Sequence, residues 1–358
     1  MTFVKGDDVA TKVVAWQERH GRNHLPWQKT RDPYRVWLSE IMLQQTQVAT
    51  VLDYYARFLA RFPDVAALAG AGQDEVMGLW SGLGYYSRAC NLHKCAKAVV
   101  DQHGGAFPQT AELLMTLPGI GRSTAGAIAA FCFSQRTAIL DANVRRVLTR
   151  LLAFDGDLAV SRNEKLLWER ATELLPSTDL TVAMPRYTQG LMDLGATVCT
   201  PKAPRCDRCP LADTCSAFAL CNPERYPVKT RKLLRRSESW WLLVLLGVEK
   251  SVWLERRPPS GIWAGMHCVP VFPDRKQLDE FLAPIAASAA DVRSWEPPPS
   301  LHILTHRDLH LHAVVVSGDL SIGNGADGAW FSEAQWSGVG LPTPIRKLLD
   351  NTRQRELL

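Results

Sequence analysis

The chain has 358 residues, more than one globular domain commonly uses, and its 46% apolar and 22% charged side chains exclude a disordered polymer or a fibrous repeat. Two folded units are therefore expected. The net charge of +5, from 41 basic and 36 acidic side chains, tolerates a polyanionic partner without requiring one.

Residues 1–221 read mostly as helix. The run Val36-Trp37-Leu38-Ser39-Glu40-Ile41-Met42-Leu43-Gln44-Gln45-Thr46 predicts a helix that is apolar on nearly every side. Burial there raises the pKa of Glu40 and keeps a proton available near neutral pH, the property of a general acid. A buried glutamate satisfied by Gln44 or Gln47 is the other reading. Amphipathic periodicity predicts further helices at Val48 to Arg61, Asp74 to Trp80 and Arg88 to His103. Turns fall at Phe62-Pro63, His103-Gly104-Gly105 and Leu117-Pro118-Gly119. The loop Gly82-Leu83-Gly84-Tyr85-Tyr86-Ser87-Arg88 carries a glycine-flanked leucine and paired tyrosines, either packed between helices or presented to a ligand.

Leu117-Pro118-Gly119-Ile120-Gly121-Arg122-Ser123-Thr124-Ala125-Gly126 follows one short helix and opens another. Gly119 and Gly121 allow a tight turn that leaves amides and a helix N-terminus facing an anion, a phosphate-binding device. A plain loop between packed helices has the same composition. Asp141, after Ile139-Leu140 and before Asn143-Val144-Arg145-Arg146-Val147-Leu148, falls where a helix begins, which favours its ionised form. Alone it reads as an N-cap. Beside Glu40 it completes the asymmetry that glycoside cleavage uses, one carboxyl protonated and the other charged, and the N-glycosidic bond of a deoxynucleotide fits that chemistry.

Cys199-x6-Cys206-x2-Cys209-x5-Cys215 sets four thiols in a loop, 199–215, stiffened by Pro201, Pro204 and Pro210. Zinc and a cubane cluster both suit such ligands. Lys202, Arg205 and Arg208 face phosphates or merely water; Cys221 is unassigned, and Cys90, Cys95, Cys132 and Cys268 read as core fillers. Residues 222–239, with Pro223, Pro227, Lys229, Arg231, Lys232, Arg235 and Arg236, have no core-forming period and read as a basic interdomain linker. Beyond it, Trp240 to Gly247 and Val252 to Glu255 suit a hairpin, and strand-like runs at His310 to Val316 and Trp330-Phe331 make residues 240–358 mixed α/β. The N-terminus lacks a basic region followed by an apolar core and no apolar run spans a bilayer, so a cytoplasmic location without a membrane is expected.

The cysteine spacing matches the [4Fe-4S] loop of endonuclease III and MutY glycosylases, and the Leu117 to Gly126 segment resembles the helix-hairpin-helix of repair glycosylases. Trp37-Leu38-Ser39-Glu40, Met42-Leu43-Gln44-Gln45-Thr46 and Leu140-Asp141-x-Asn143-Val144 resemble the motifs of the MutY-type adenine DNA glycosylases. The resemblance implies a mostly α helix-hairpin-helix glycosylase domain with a [4Fe-4S] cluster loop over 1–221 and an α/β Nudix-like domain over 240–358. By that resemblance Glu40 protonates adenine at N7, Asp141 stabilises or transiently bonds the sugar cation, and Asn143 assists. Ala142 stands where the family usually has glycine. Gln45, Leu83 and Tyr85 match a wedge that contacts the 8-oxoguanine strand while adenine is flipped out. Trp27 and Gln189 resemble the adenine pocket. Ser123 replaces the lysine nucleophile of strand-cleaving relatives, which implies base removal alone. Arg256 to Gly265 and Leu304-Thr305-His306 resemble the domain that reads 8-oxoguanine, with Thr305 and His306 as contacts and Leu304 in place of the family's phenylalanine; His306 and His310 on a strand's solvent face is the other reading. No carboxylate-rich run supports Mg²⁺-dependent hydrolysis. The implied partner is duplex DNA with an adenine:8-oxoguanine or adenine:guanine mispair, bound by a bacterial, cytoplasmic monomer that joins the nucleoid when acting.

Overall fold

The computed structural model describes residues 6–230, 234–320, 322 and 328–356, so Arg231 and Lys232 of the expected linker lie outside the described residues. Its helices, in chain order, are α1 Gly6–His20, α2 Pro33–Leu43, α3 Val48–Arg61, α4 Val65–Gly70, α5 Gln73–Trp80 and α6 Ser87–His103. These are followed by α7 Ala111–Leu114, α8 Arg122–Phe133, α9 Ala142–Leu151, α10 Ser161–Glu173, α11 Leu180–Thr197 and α12 Ser216–Ala219. The strands are β1 Arg236–Leu246, β2 Val252–Arg256, β3 His267–Cys268, β4 Val271–Phe272, β5 Ala290–Trp295, β6 Ser300–Ile303, β7 Arg307–Asp319 and β8 Gly328–Phe331, with α13 Arg275–Ala287, α14 Glu333–Gly338 and α15 Thr343–Glu356 among them. Among the described residues no helix is long and apolar enough to cross a membrane.

Two compact units result: Met1–Val51, Phe62–Ala69 and Lys94–Lys232 in the first, Leu52–Arg61, Gly70–His93 and Leu233–Leu358 in the second. In the first, helical spacing aligns Val9, Val13 and Trp16 of α1 with Val144, Val147, Leu148 and Leu151 of α9 and Met184, Tyr187, Leu191 and Leu194 of α11 in one buried cluster. Helix α11 packs on α1, α8 and α9. The expected linker is held, not free, as far as Thr230. Tyr226 is buried and its carbonyl accepts from Arg150 Nε at 3.2 Å, Arg225 pairs with Asp155 at 3.0 Å, and the Thr230 hydroxyl bonds Asp157.

In the second unit the strands form one mixed sheet with the path β3-β2-β1-β7-β5, β4 and β8 joining β1 and β2 and β6 joining β7. The expected hairpin forms, with Leu246 opposite Val252. Strand β1 starts at Arg236, inside the stretch read as linker, and runs parallel to β7 from Arg236↔Arg307 to Leu246↔Ser317. Buried on both faces, β1 reads as a continuous apolar run over Leu242 to Leu246, as an interior parallel strand should. Leu278 and Ile285 of α13 pack on Leu243, Leu245, Val314 and Val316.

The same unit takes in α5. Asp74 accepts both of its hydrogen bonds from Arg256 Nη2, at 2.8 and 2.7 Å, and Tyr86 Oη donates to Leu341 O at 3.2 Å. A Cβ added at Gly78 collides with Gly338 O, so α5 meets the end of α14 backbone to backbone. Gly78→Ala must force the two apart; by overpacking it should cost about 1–3 kcal/mol, read as a lower melting temperature, and unchanged melting would contradict the contact.

Candidate active site

Helix α2 starts at Asp32, whose Oδ1 accepts from Tyr34 N at 2.8 Å and Arg35 N at 3.2 Å, with Pro33 in the first turn where its missing N–H costs nothing. Tyr34, Val36, Trp37, Leu38, Ser39, Ile41 and Met42 are buried, which makes α2 a core helix and Glu40 its one acid. The helix ends at Leu43, short of the predicted Thr46, because Gln44 leaves helical geometry at ψ 113°, and Gln45 follows it left-handed at φ 56°. That strain sits on an exposed side chain of the expected wedge. Gln44 reaches away from Glu40, donating to Thr124 Oγ1 at 3.4 Å. Glu40 is half-buried, and its pKa is pushed up to about 8, first by loss of water and then by the negative charge of Asp141. Neither Gln44 nor Gln47, the partners of the other reading, is among the causes of that shift.

Asp141 is the N-cap of α9, as read from the sequence, with Oδ1 accepting from Val144 N at 2.6 Å. The expected preference for its ionised form is offset: burial raises its pKa, opposed by the Val144 N–H, Arg146, the Asn143 N–H and Arg145. The pair is thus coupled but unlike, since Asp141 has donors and cations where Glu40 has none among the described residues. Asn143 Oδ1 accepts from Arg146 Nη2 at 2.7 Å, and that nitrogen also donates to Gly195 O at 2.7 Å. A Cβ at Gly195 would lie 2.6 Å from Asn143 Cβ, so α11 approaches the start of α9 without clearance.

Trp27 is buried in a short 3-10 turn begun by Pro26. Gln189, buried on α11, donates Nε2 to Asp193 Oδ1 at 2.9 Å, and Asp193 is held by Arg22 N and Nε at 2.9 and 2.6 Å. Sequence reasoning missed Gln28, next to Trp27: both polar atoms of its amide are buried without a partner among the described residues, an arrangement that costs free energy unless a ligand supplies one. Its position beside Trp27, which the resemblance assigns to the adenine pocket, was the available signal.

In the hairpin, Gly119 has φ 76°, so glycine is required by the backbone. Gly121 is different: it caps α8 at φ −86°, and a Cβ there meets nothing within 4 Å. The expected tight turn therefore rests on Gly119 alone, while Gly121 leaves bare backbone at the open end of α8, where the first helical bond is Ala125 N–H to Gly121 O at 2.9 Å. Ser123 Oγ accepts from Leu140 N at 2.8 Å.

Cys199, Cys206, Cys209 and Cys215 line one cavity with Arg150, Val198, Pro204 and Phe218. Four thiols around one cavity are a ligand set that zinc and a cubane cluster both accept. Burial first, and then the neighbouring thiols, push the Cys209 thiol up to about 12 against the lowering effect of the Leu211 N–H, so its thiolate form needs a cationic partner. Arg150, buried on α9, donates to Cys199 Sγ at 3.3 Å, Thr200 O at 2.7 Å and Pro201 O at 2.9 Å. Arg205, one of three basic residues in the loop, is tied to Thr197 O. Cys95 and Cys268 are core residues as expected, and Cys221 is exposed.

In the second unit Tyr85 is exposed and left-handed at φ 49°, while Leu83 is buried. Arg88, also missed from the sequence, underlies this loop: it is buried, donates to Leu83 O and Gly84 O at 3.3 and 3.1 Å, and lies over the rings of Trp80 and Tyr85. Burial brings its pKa down to about 10. Thr305 and His306 are exposed in the turn joining β6 to β7, closed by Leu304 N–H to Arg307 O at 2.8 Å, so His306 is not on a strand; His310 is, and bonds Ser237 Oγ at 3.0 Å. Asp279 and Glu280 of α13 pair with Arg275 and Lys276.

A family model described as "HhH-GPD superfamily base excision DNA repair protein" matches residues 38–173, and a NUDIX domain model matches residues 241–351. The chain resembles a solved thermostable thymine-DNA glycosylase, at 28% identity and a TM-score of 0.52 over 59% of this chain and 95% of that one. Fold and paired carboxyls thus define a base excision DNA glycosylase of the helix-hairpin-helix superfamily with a Nudix-like C-terminal domain. A Buchnera aphidicola (Schizaphis graminum strain) protein named adenine DNA glycosylase is 35% identical over 94% of this chain and 96% of its own length. A Homo sapiens protein of that name is 44% identical over 57% of this chain and 38% of its own. This chain belongs to the adenine DNA glycosylase family.

Because Glu40 holds its proton more tightly folded than unfolded, its contribution to stability is complete below the ordinary glutamate range and is lost as pH rises toward about 8. Glu40→Gln should therefore melt above the wild type by a margin that grows from about pH 5 to about pH 8, and a pH-independent margin would refute the raised pKa.

Proposed function

We propose that this enzyme hydrolyses the N-glycosidic bond of adenine mispaired with 8-oxoguanine or guanine in duplex DNA and leaves the strand intact. Membership of the adenine DNA glycosylases makes it an adenine-specific DNA N-glycosylase of base excision repair. The observation that carries the finer reading is the unlike carboxyl pair, Glu40 with a pKa near 8 and Asp141 capped by Val144 N–H.

In this reading Glu40 gives its proton to N7 of the flipped adenine, and the bond from N9 to C1′ breaks with its electron pair leaving on the base. The Asp141 carboxylate offsets the positive charge that develops on the sugar or bonds it transiently; water then adds at C1′, breaking any such bond with its electron pair returning to Asp141, and gives its proton to the Glu40 carboxylate. Asn143, held by Arg146, assists at that face. Trp27 and Gln189, with Gln28, hold the base, and the orphaned Gln28 amide supports such a ligand. The turn at Gly119 and the bare backbone at Gly121, with Ser123 beside them, meet phosphate at the open end of α8. Gln45 on the first unit, and Leu83, Tyr85, Thr305 and His306 on the second, meet the strand that carries 8-oxoguanine. Leu83 must then leave its buried position to act. Serine at 123 has no amine to form a Schiff base, which supports base removal without strand cleavage.

The four cysteines would hold a [4Fe-4S] cluster, whose bonding would fix the loop to α9 as structural metal centres fix small loops. The reading includes a monomer acting on DNA in the bacterial cytoplasm.

Single-turnover adenine release from duplexes with adenine opposite 8-oxoguanine tests it, scoring abasic product before and after alkali. Wild type should release adenine, with strand breaks only after alkali, and Glu40→Gln should be slower by about 10²-fold or more. The wild-type rate should fall as pH rises through about 8, where Glu40 loses its proton, and fall again in acid as Asp141 gains one. No release from wild type, or equal rates for the two proteins, would overturn the assignment.

A further inference from the structure

We propose that Ser123 is a positioning residue for Asp141, acting through the backbone of Leu140. The inference rests on the reading of Asp141 given above.

The segment before α9 lies along α8 and touches it at two places one helical turn apart. At Ser123 the hydroxyl oxygen accepts the Leu140 amide at 2.8 Å. At Gly126 a Cβ would stand 2.6 Å from Ala138 O and 3.1 Å from Ile139 Cγ2, so the segment lies against bare helix backbone. Ile139 and Leu140 are buried, so the Leu140 amide needs an acceptor from the protein, and Ser123 supplies it. One residue later the chain enters α9, where Asp141 Oδ1 accepts from Val144 N at 2.6 Å and Asp141 O accepts from Arg145 N at 2.8 Å. The backbone that carries the carboxylate is therefore held from both sides, by α9 ahead of it and by Ser123 behind.

A serine in the first turn of a helix usually turns its hydroxyl to its own backbone or to water. Here it is spent on a separate segment, seventeen residues away in sequence. Alanine has no acceptor, and neither does a protonated lysine. The side chain at 123 thus decides how firmly the capped carboxylate is held relative to the hairpin, and a misplacement of about 1 Å at such a group is enough to cost about 10²-fold in rate.

The test compares wild type, Ser123→Ala and Ser123→Thr in single-turnover adenine release and in equilibrium binding to the same duplex under the same salt. Ser123→Ala should lose about tenfold or more in rate with binding within about twofold of wild type, and Ser123→Thr, which keeps the acceptor, should recover most of the rate. Should Ser123→Ala fail to fold, Ser123→Cys, nearly the same shape with a weaker acceptor, takes its place with the same expectation in smaller measure. A substituted protein that keeps the wild-type rate, a loss that follows binding, or a threonine variant as slow as the alanine one would overturn the inference. Absence of adenine release from wild type would instead refute the reading on which it rests.

Discussion

The hydrogen bond from Val144 N–H to Asp141 Oδ1 does for the site what no other contact does: it begins a helix and aims a carboxylate with the same atom. An N-cap must sit at one point in the helix frame, so wherever α9 is fixed, Asp141 is fixed. Arg146 and Arg150 supply that fixing, one through Gly195 O and Cys199 O, the other through Cys199 Sγ and the two carbonyls after it. Glu40 depends on the same point, since the charge of Asp141 is the second reason that it holds a proton. The two carboxyls are matched by what surrounds them, apolar side chains on one and amides and guanidinium groups on the other.

Much of this was legible in the sequence because it is local. Helical periodicity placed α3, α5 and α6 to within a residue, and an acid between an apolar pair and a helical run marked Asp141 as a cap. A lone acid among apolar neighbours marked Glu40, and the cysteine spacing marked a set that the fold does bring to one cavity. The serine at position 123 was noticed for the amine it lacks, not for the acceptor it provides.

What was not legible depends on contacts between distant positions. Nothing near Arg88 in sequence says that it will lie under its own loop, or near Arg150 that its donors will reach residues 199, 200 and 226. The end of α2 was misjudged because Gln44 and Gln45 are good helix formers, yet Gln44 is already extended in ψ and Gln45 turns left-handed after it. The charge preference of Asp141 was misjudged because capping predicts its donors but not how little water reaches it. The stretch 222–230 resembled a tether since its basic and proline residues have no period, yet Tyr226 among them is buried.

The contact of Gly195 with Asn143 has a mechanical side. A Cβ at position 195 would stand 2.6 Å from Asn143 Cβ, so only a residue without one lets α11 lie this close to the first turn of α9. The same closeness lets the Gly195 carbonyl accept from Arg146. One added methyl at 195 would therefore press on the turn that Asp141 begins, and the least change that disturbs the carboxylate is a carbon placed two helices away from it in sequence.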